Sequence, residues 1–226
     1  MSTVPKTRKP RAKKKSITSP VMLRHLSYDT YRAEPGVSHS ELKDWITCPH
    51  LWKQKWIEKT YVQDVSDSLE FGKAVDCFVE SADIFHQTYA EAAKRRTSAT
   101  DEEGKSLLSP MVYKRVVQTA MAISNNTTFK ELTDSASKQV SVFAEFTKGF
   151  QIKGRMDFLS ISDTEVHIID LKTAREAGWQ QGFSRSFVQY GYFSQLAFYS
   201  ILARLSGITA SATPDEMWLY VQSLKR

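Results

Sequence analysis

The segment that most constrains the fold is residues 140–171, where three short strand-like stretches follow one another with almost no connecting chain. Residues 140–146 largely alternate apolar and polar side chains, residues 150–160 follow a Lys148-Gly149 turn, and residues 166–171 follow a Ser-Asp-Thr turn. Connections this short join antiparallel neighbours, because a parallel pair needs a crossover of a dozen or more residues. The sequence therefore predicts an antiparallel three-stranded meander.

Helical periodicity on both sides of the meander completes the predicted topology. A helix is predicted over residues 110–124, and a longer one over residues 183–205 ends at Ser206-Gly207, a typical helix stop. The apolar run 217–222 predicts a last strand. Read from residue 110, the order is αβββαβ, so we predict an α/β (α+β) fold with a mixed central sheet flanked by helices.

The first half of the chain is predicted to be mainly helical. Ser38 is suited to cap a helix with Glu41 three residues later, and that helix is interrupted at Cys48-Pro49. Further helices are predicted over residues 50–59 and 68–80, and the polar stretch 95–108 is predicted to be a loop.

Net charge separates a basic tail from a nearly neutral body. The chain has 31 Lys and Arg residues against 25 Asp and Glu residues, a formal charge of +6. Residues 1–15 hold seven of these bases and no acid, so 24 bases and 25 acids remain in residues 16–226. We expect residues 1–20 to be a disordered tail and residues 21–226 to form one domain. Such a tail has two interpretations. It is a solubilising or targeting segment, or it attracts the phosphates of nucleic acid without sequence specificity.

Composition excludes several classes of protein. No stretch approaches the ~18 apolar residues of a membrane span, and residues 1–20 lack the apolar centre of a signal peptide. Cys48 and Cys77 are too few for a disulfide framework, a four-cysteine zinc site or an iron–sulfur cluster. We therefore expect a cytoplasmic protein with no membrane contact and no iron–sulfur cluster.

Two aspartates and a lysine carry the chemical signal. Residues two apart on a strand share a face, so Asp157 is expected to point with Arg155 and Lys153, and Asp170 with Lys172. On adjacent strands, Asp157 and Asp170 would converge beside Lys172. Paired carboxylates with a neighbouring cation suit a Mg²⁺ site for phosphodiester hydrolysis. The alternative is that these charges lie on a solvated sheet face and pair with one another.

The residues around these charges resemble a known family. Asp157 followed by Asp170-Leu171-Lys172 resembles the PD-(D/E)XK nuclease signature. The surroundings are similar to the nuclease domain of RecE-type exodeoxyribonuclease VIII over about residues 28–222. The stretches that carry this likeness are residues 35–43 (PGVSHSELK), Cys48-Pro49, 153–158 (KGRMDF), 169–174 (IDLKTA) and 192–199 (YFSQLAFY). The resemblance implies a restriction-endonuclease-like αβββαβ core.

The resemblance also implies a set of site residues. Asp157, Asp170 and Lys172 would be catalytic. The metal, Mg²⁺ or alternatively Mn²⁺, would be held by Asp157, Asp170, the backbone carbonyl of Leu171 and Asp76. Asp76 stands where the family's GxxxH helix usually has histidine, which leaves open whether it binds metal. Four further residues are predicted to contact DNA. Gln195 and Tyr199 form a QxxxY pair on one helical face, and Arg155 and Lys153 precede Asp157 on its strand.

The implied activity is 5′→3′ digestion of linear double-stranded DNA ends, leaving 3′ single strands for annealing-type recombination of phage or prophage origin. The implied partners are a single-strand annealing protein and identical subunits in a ring, inside a bacterial host cell. The alternatives are a structure-specific or endonucleolytic relative and a non-catalytic DNA-binding relative. The five histidines are expected to be surface or core residues. Trp45, Trp52 and Trp56 would stack on single-stranded DNA or, as we favour, pack in the core.

Overall fold

The computed structural model describes residues 24–62, 66–93, 100–162, 165–173 and 184–208, together with the backbone of residues 221–222. The predicted basic tail, most of the predicted last strand and the start of the predicted long helix lie outside these residues. Among the helices that the structure describes, none is both long enough and apolar enough to cross a membrane.

The elements of the first half are mainly helices. They are α1 (Tyr28–Ala33), α2 (His39–Thr47), α3 (Pro49–Trp52), which continues as a π-helix (Lys53–Glu58), α4 (Asp67–Glu80), α5 (Ala82–Thr88), β1 (Tyr89–Glu91) and β2 (Ser106–Leu108). The predicted cap of α2 is confirmed, since the Ser38 hydroxyl accepts the backbone N–H of Glu41. The loop predicted over residues 95–108 is wrong at its end, because Ser106–Leu108 pairs in parallel with Tyr89–Glu91.

The second half has the predicted αβββαβ order. Its elements are α6 (Pro110–Ser124), α7 (Thr127–Thr133), β3 (Ser137–Thr147), β4 (Phe150–Ile161), β5 (Val166–Ile169), β6 (Lys172–Thr173), α8 (Ser184–Gln189), α9 (Tyr192–Leu205) and β7 (Val221–Gln222). Strands β3, β4 and β5 form the predicted antiparallel meander, and β6 pairs in parallel with β7. The α/β prediction is confirmed. Among the described strands, the central sheet β3–β4–β5 is antiparallel, and the parallel pairs β1–β2 and β6–β7 are separate small sheets in place of one mixed sheet.

Two element boundaries differ from the prediction. The third strand was expected to reach Leu171 but ends at Ile169, and β6 then pairs with β7 instead of β4. The helix expected over residues 183–205 is two helices, because Gly191 adopts a left-handed conformation (φ 68°) between α8 and α9. Glycine tolerates this conformation because it has no Cβ.

The meander is covered by helices on both faces. On one face, α9 supplies Phe198, Tyr199 and Leu202 to a core that includes Met156 and Leu159 of β4. On the other face, α4, α5, α6 and α7 pack on a core that includes the buried side chains of Phe158, Ile169, Leu171, Val75, Val116 and Phe129. The sheet therefore separates two apolar cores.

Strand β4 changes phase at Asp157. Met156 and Leu159 lie in the same core although they are three residues apart, which a regular strand with a two-residue period does not allow. Opposite this point on β3, Gln139 has a left-handed backbone (φ 52°). Lys138 pairs with Phe158 and Val140 pairs with Met156, so the ladder skips the position of Gln139 and Asp157. The irregularity lies where the predicted catalytic aspartate emerges between the two cores.

A short backbone pairing brings the start of α2 to the sheet. The Val37 N–H donates to the carbonyl of Gln151, and the Lys153 N–H donates to the carbonyl of Val37. Ser38 and His39 follow directly, so α2 begins beside the edge of β4.

Gly154 allows β4 and α9 to approach closely. A Cβ at this position would lie 2.7 Å from the Leu202 side chain and 3.0 Å from the Tyr199 ring. Contacts this short would force the buried Leu202 side chain or the Tyr199 ring to move, so glycine is the residue that fits here without repacking.

We expect Gly154→Ala to lower the free energy of unfolding by about 1–3 kcal/mol, because the added methyl group overpacks the interface. Urea denaturation measures this change, with Gln151→Ala on the same strand as the control that should have little effect. An unchanged stability in Gly154→Ala would contradict the close contact between β4 and α9.

Candidate active site

A cavity of about 380 Å³ opens where β4, the β5–β6 connection, α4, α9 and the start of α2 meet. Three aspartate carboxylates line it, from Asp76, Asp157 and Asp170, together with the Glu80 carboxylate and the ammonium groups of Lys73 and Lys172. The structure thus brings together Asp76 and Lys172, which are 96 positions apart in the chain. Its other polar lining residues include Tyr28, Arg32, His39, Gln139, Arg155, Gln195 and Tyr199.

Asp157 connects the two strands that carry the predicted motif. Its Oδ2 accepts the backbone N–H of Leu171 at 2.8 Å, just beyond the end of β5. This side-chain bond satisfies a backbone donor in the break between β5 and β6. Burial raises the pKa of Asp157 well above its usual range, and the Asp170 carboxylate raises it further.

Asp170 is the most constrained acid in the cavity. It is 3% exposed, and its carboxylate forms an ion pair with the Lys172 ammonium. The Gln195 amide donates to its other oxygen at 3.2 Å. A carboxylate this buried requires such partners, because an unpaired charge would be costly in the protein interior.

Lys172 remains protonated in this arrangement. Burial acts to lower its pKa, but attraction to Asp170 and Asp157 outweighs burial, so the pKa is raised above its usual value. Its ammonium also lies 3.4 Å from the Leu171 carbonyl and 5.5 Å from the centre of the Tyr192 ring. Lys172 is therefore the cation that pairs with Asp170.

Asp76 projects from α4 toward the same cavity. Burial raises its pKa to about 7, with Lys172 acting in the opposite direction and Asp170 in the same one. Its Oδ1 is buried and has no hydrogen-bond partner within the described part of the chain. A buried carboxylate oxygen without a donor suits a cation ligand, and oxygen ligands suit Mg²⁺ and Mn²⁺.

The three carboxylates do not form a ready-made cation site. Among the described residues, no three His, Cys, Asp or Glu side chains are grouped so that they could hold a metal ion. The contacts above give the reason, since Asp170 is paired with Lys172 and Asp157 is bonded to Leu171. A cation at this site would have to compete with these contacts.

The predicted Gln195 and Tyr199 pair lies in the cavity wall, where both side chains bond to the protein. The Gln195 amide donates to the Tyr199 hydroxyl at 3.0 Å as well as to Asp170. The Tyr199 hydroxyl donates to the backbone carbonyl of Arg155 at 2.9 Å. The pair therefore connects α9 to both β4 and Asp170, and its predicted contact with DNA stays a prediction.

Arg155 and Lys153 have different environments although both precede Asp157 on β4. Arg155 lines the cavity, where its Nε donates to the Gln139 side chain and its buried Nη1 has no hydrogen-bond partner among the described residues. This unused donor points to anion binding.

Lys153 requires a correction. It was expected to contact DNA, but it is 2% exposed, and its ammonium donates to the backbone carbonyls of Tyr31, Arg32 and Glu34. These acceptors lie at the end of α1, where a helix has carbonyls without intrahelical partners. Lys153 therefore anchors α1 to the sheet, and we no longer count it as a DNA contact.

Sequence reasoning missed His39. It was expected to be a surface or core histidine, yet it lines the cavity at the start of α2, with its Nε2 2.9 Å from the Ser194 hydroxyl oxygen. Burial lowers its pKa, and Lys43 lowers it further. The predicted cap at Ser38 was the sequence signal for this position. His39 follows the cap and is the first residue of α2, so its side chain lies where the start of α2 meets the cavity.

Comparison with known proteins adds one family. Residues 38–212 match the model of the PDDEXK-like domain of unknown function (DUF3799). No curated protein matches the chain. The cavity residues singled out above fall within the matched range, namely Asp76, Arg155, Asp157, Asp170, Lys172, Gln195 and Tyr199.

The raised pKa of Asp76 predicts an unusual pH dependence of stability in the metal-free protein. The folded state holds this proton more tightly than the unfolded chain, so the stabilisation is complete below about pH 4 and is lost as the pH rises through about 7. We expect the free energy of unfolding, measured in EDTA, to fall by up to ~1.4 kcal/mol per pH unit in that window.

Asp76→Asn should flatten this slope, because the amide does not titrate. The exposed Asp134, replaced by asparagine, controls for the loss of any one carboxylate. Identical slopes in the wild-type protein and Asp76→Asn would show that Asp76 does not titrate abnormally.

Proposed function

The chain belongs to the PDDEXK-like domain family, and on that premise we propose that it is a metal-dependent exodeoxyribonuclease acting on the ends of linear double-stranded DNA. Membership of the PD-(D/E)XK superfamily points to a nuclease-type function, and nucleases of this superfamily typically use divalent metals. The observation that carries the proposal is the meeting of Asp76, Asp157, Asp170 and Lys172 in one cavity.

The residues of the cavity fit a divalent cation. Asp76, Asp157, Asp170 and the backbone carbonyl of Leu171 would hold Mg²⁺ or Mn²⁺, because they offer only hard oxygen ligands. The unpartnered Asp76 oxygen supports this assignment, and so do the raised pKa values of Asp76 and Asp157, since burial, their main cause, deprives both carboxylates of solvation that a cation would replace. When bound, the cation supplies Lewis-acid polarisation of the scissile phosphate.

The chain's own residues then have distinct tasks. Lys172 carries a proton and a positive charge at the carboxylates, so it can orient an attacking water or stabilise charge that develops on the phosphate. Gln195, held by Tyr199, keeps the Asp170 carboxylate in place. Arg155 offers its unused guanidinium donor to a phosphate oxygen.

The finer features of the proposal rest on the resemblance to RecE-type exodeoxyribonuclease VIII. They are 5′→3′ polarity, a 3′ single-stranded product for annealing-type recombination, a role in phage recombination or repair, and a location in the bacterial cytoplasm. The proposed partners are linear DNA ends, a single-strand annealing protein and identical subunits in a ring.

A non-catalytic DNA-binding relative is the second candidate. Two observations favour it. Aspartate stands at position 76, where RecE-type nucleases usually have histidine, and the Asp170 and Asp157 carboxylates bond to Lys172 and to the Leu171 N–H. Binding of DNA without divalent-cation-dependent cleavage would support this candidate.

The decisive assay digests linear duplex labelled at either the 5′ or the 3′ end, beside a covalently closed circle, with and without Mg²⁺. We expect Mg²⁺-dependent loss of the 5′ label from linear DNA only. Asp157→Asn, Asp170→Asn and Lys172→Met should each lower the rate by at least about a hundredfold, because each removes charge from the reacting centre.

Asp134→Asn is the control for a lost carboxylate outside the cavity, and thermal unfolding checks that each variant folds. Equal attack on the closed circle would replace the exonuclease proposal with an endonuclease. Wild-type rates in any of the three cavity variants would contradict the site assignment.

A further inference from the structure

Aromatic side chains cluster at the break between α8 and α9, directly beside Lys172. The Tyr192 ring lies 5.5 Å from the Lys172 ammonium, 5.8 Å from the Tyr190 ring and 6.5 Å from the Phe187 ring. Phe187 in turn lies 6.1 Å from Phe193, measured between ring centres. We call Phe187, Tyr190, Tyr192 and Phe193 the aromatic turn.

The backbone of the aromatic turn is fixed by bonds to α2 as well as by its own contacts. Lys43 donates to the Tyr190 carbonyl at 2.8 Å, and His39 bonds to the Ser194 hydroxyl at 2.9 Å. The Ser194 hydroxyl donates to the Gly191 carbonyl at 2.7 Å. His39 also lines the cavity, so its bond to Ser194 ties the start of α9 to the cavity wall.

Two rings of the aromatic turn are open to solvent. Tyr190 is 49% exposed and Phe193 is 53% exposed, although large apolar side chains usually bury most of their surface when they form a cluster. Exposed aromatic groups that are contiguous with a functional cavity indicate an interaction surface.

The charge around the aromatic turn favours a polyanion as the occupant. Residues 177–214 contain no Asp or Glu, and α8 and α9 carry Arg185 and Arg204. By contrast, the exposed apolar side chain of Ile57 is followed by an acid, Glu58, which is paired with Lys53. A phosphate backbone would therefore meet no repelling carboxylate along α8 and α9.

We propose that the aromatic turn stacks the unpaired bases of a DNA strand next to its scissile phosphate. A stacked strand rises about 3.4 Å per nucleotide, so the Tyr192 ring, 5.5 Å from the Lys172 ammonium, lies within roughly two nucleotides of it. Base faces are hidden inside a duplex and become available only when a base is unpaired, so this surface selects a separated strand. The inference deepens the proposed function, on which it rests for the identity of the strand.

The test measures binding without cleavage, with the full chain in EDTA. Fluorescence anisotropy compares a single-stranded 12-nucleotide DNA with an abasic strand of equal length, which keeps the phosphates and lacks the bases. We expect the wild-type protein to bind the strand with bases about tenfold more tightly, as stacking on an aromatic ring typically gives. Phe193→Ala and Tyr190→Ala should each remove most of this preference and leave abasic binding unchanged.

Two controls separate stacking from general effects. Phe193→Trp should keep the preference because it retains a ring, and Phe146→Ala removes an equally exposed phenylalanine (52%) from the end of β3 and should have no effect. Equal weakening of both strands by Phe193→Ala, or no preference for bases in the wild-type protein, would overturn the inference.

Light scattering after gel filtration tests the competing occupant, a second copy of the chain. A lower molecular mass of Phe193→Ala with unchanged preference for bases would make the aromatic turn a subunit interface and would overturn the inference. A protein that stacks bases here but never cleaves DNA would refute the proposed function and leave this inference standing. A protein that cleaves linear DNA but binds abasic and base-containing strands equally would support the proposed function and overturn this inference.

Discussion

The candidate site depends on the bond between the Asp157 carboxylate and the Leu171 backbone N–H, at the point where the two apolar cores meet. Met156 packs into one core and Phe158 into the other, so Asp157 lies on the line between them. Its bond holds the break after β5, which in turn places Asp170 and Lys172 in the cavity. The alternation of a strand continues across the break, because Ile169 and Leu171 pack in one core while Asp170 and Lys172 both line the cavity.

Electrostatic balance is the second constraint on the cavity. Four carboxylates and four basic side chains line the cavity, and burial is the main reason why the pKa values of Asp76 and Asp157 are raised, with the Asp170 carboxylate raising both further. Burying these carboxyl groups is unfavourable for stability alone, and a bound cation would favour their ionised form. Shifted pKa values in a cleft are typical of functional sites. The surrounding bonds of Gln195 and Tyr199 keep the acids in place.

The meander and the grouping of the acidic residues could be predicted from the sequence, because both follow from local patterns along the chain. Short turns predicted the meander, and the spacing of Asp157, Asp170 and Lys172 predicted their meeting, which the cavity lining bears out. The burial of Lys153 could not be predicted, since it depends on where α1 ends against β4, a contact between residues about 120 positions apart. The break at Gly191 and the position of His39 also depend on tertiary contacts. A period-two pattern, moreover, does not reveal the phase change opposite Gln139.

The central claim is that this cavity is a divalent-cation site built from Asp76, Asp157 and Asp170. Calorimetric titration of the metal-free protein with Mn²⁺, repeated with Asp157→Asn and the surface control Asp134→Asn, tests it most directly. The account predicts saturable binding to the wild-type protein and to Asp134→Asn, with affinity at least about tenfold weaker in Asp157→Asn because a charged oxygen ligand is lost. Absence of binding to the wild-type protein, or equal binding to Asp157→Asn, would contradict it.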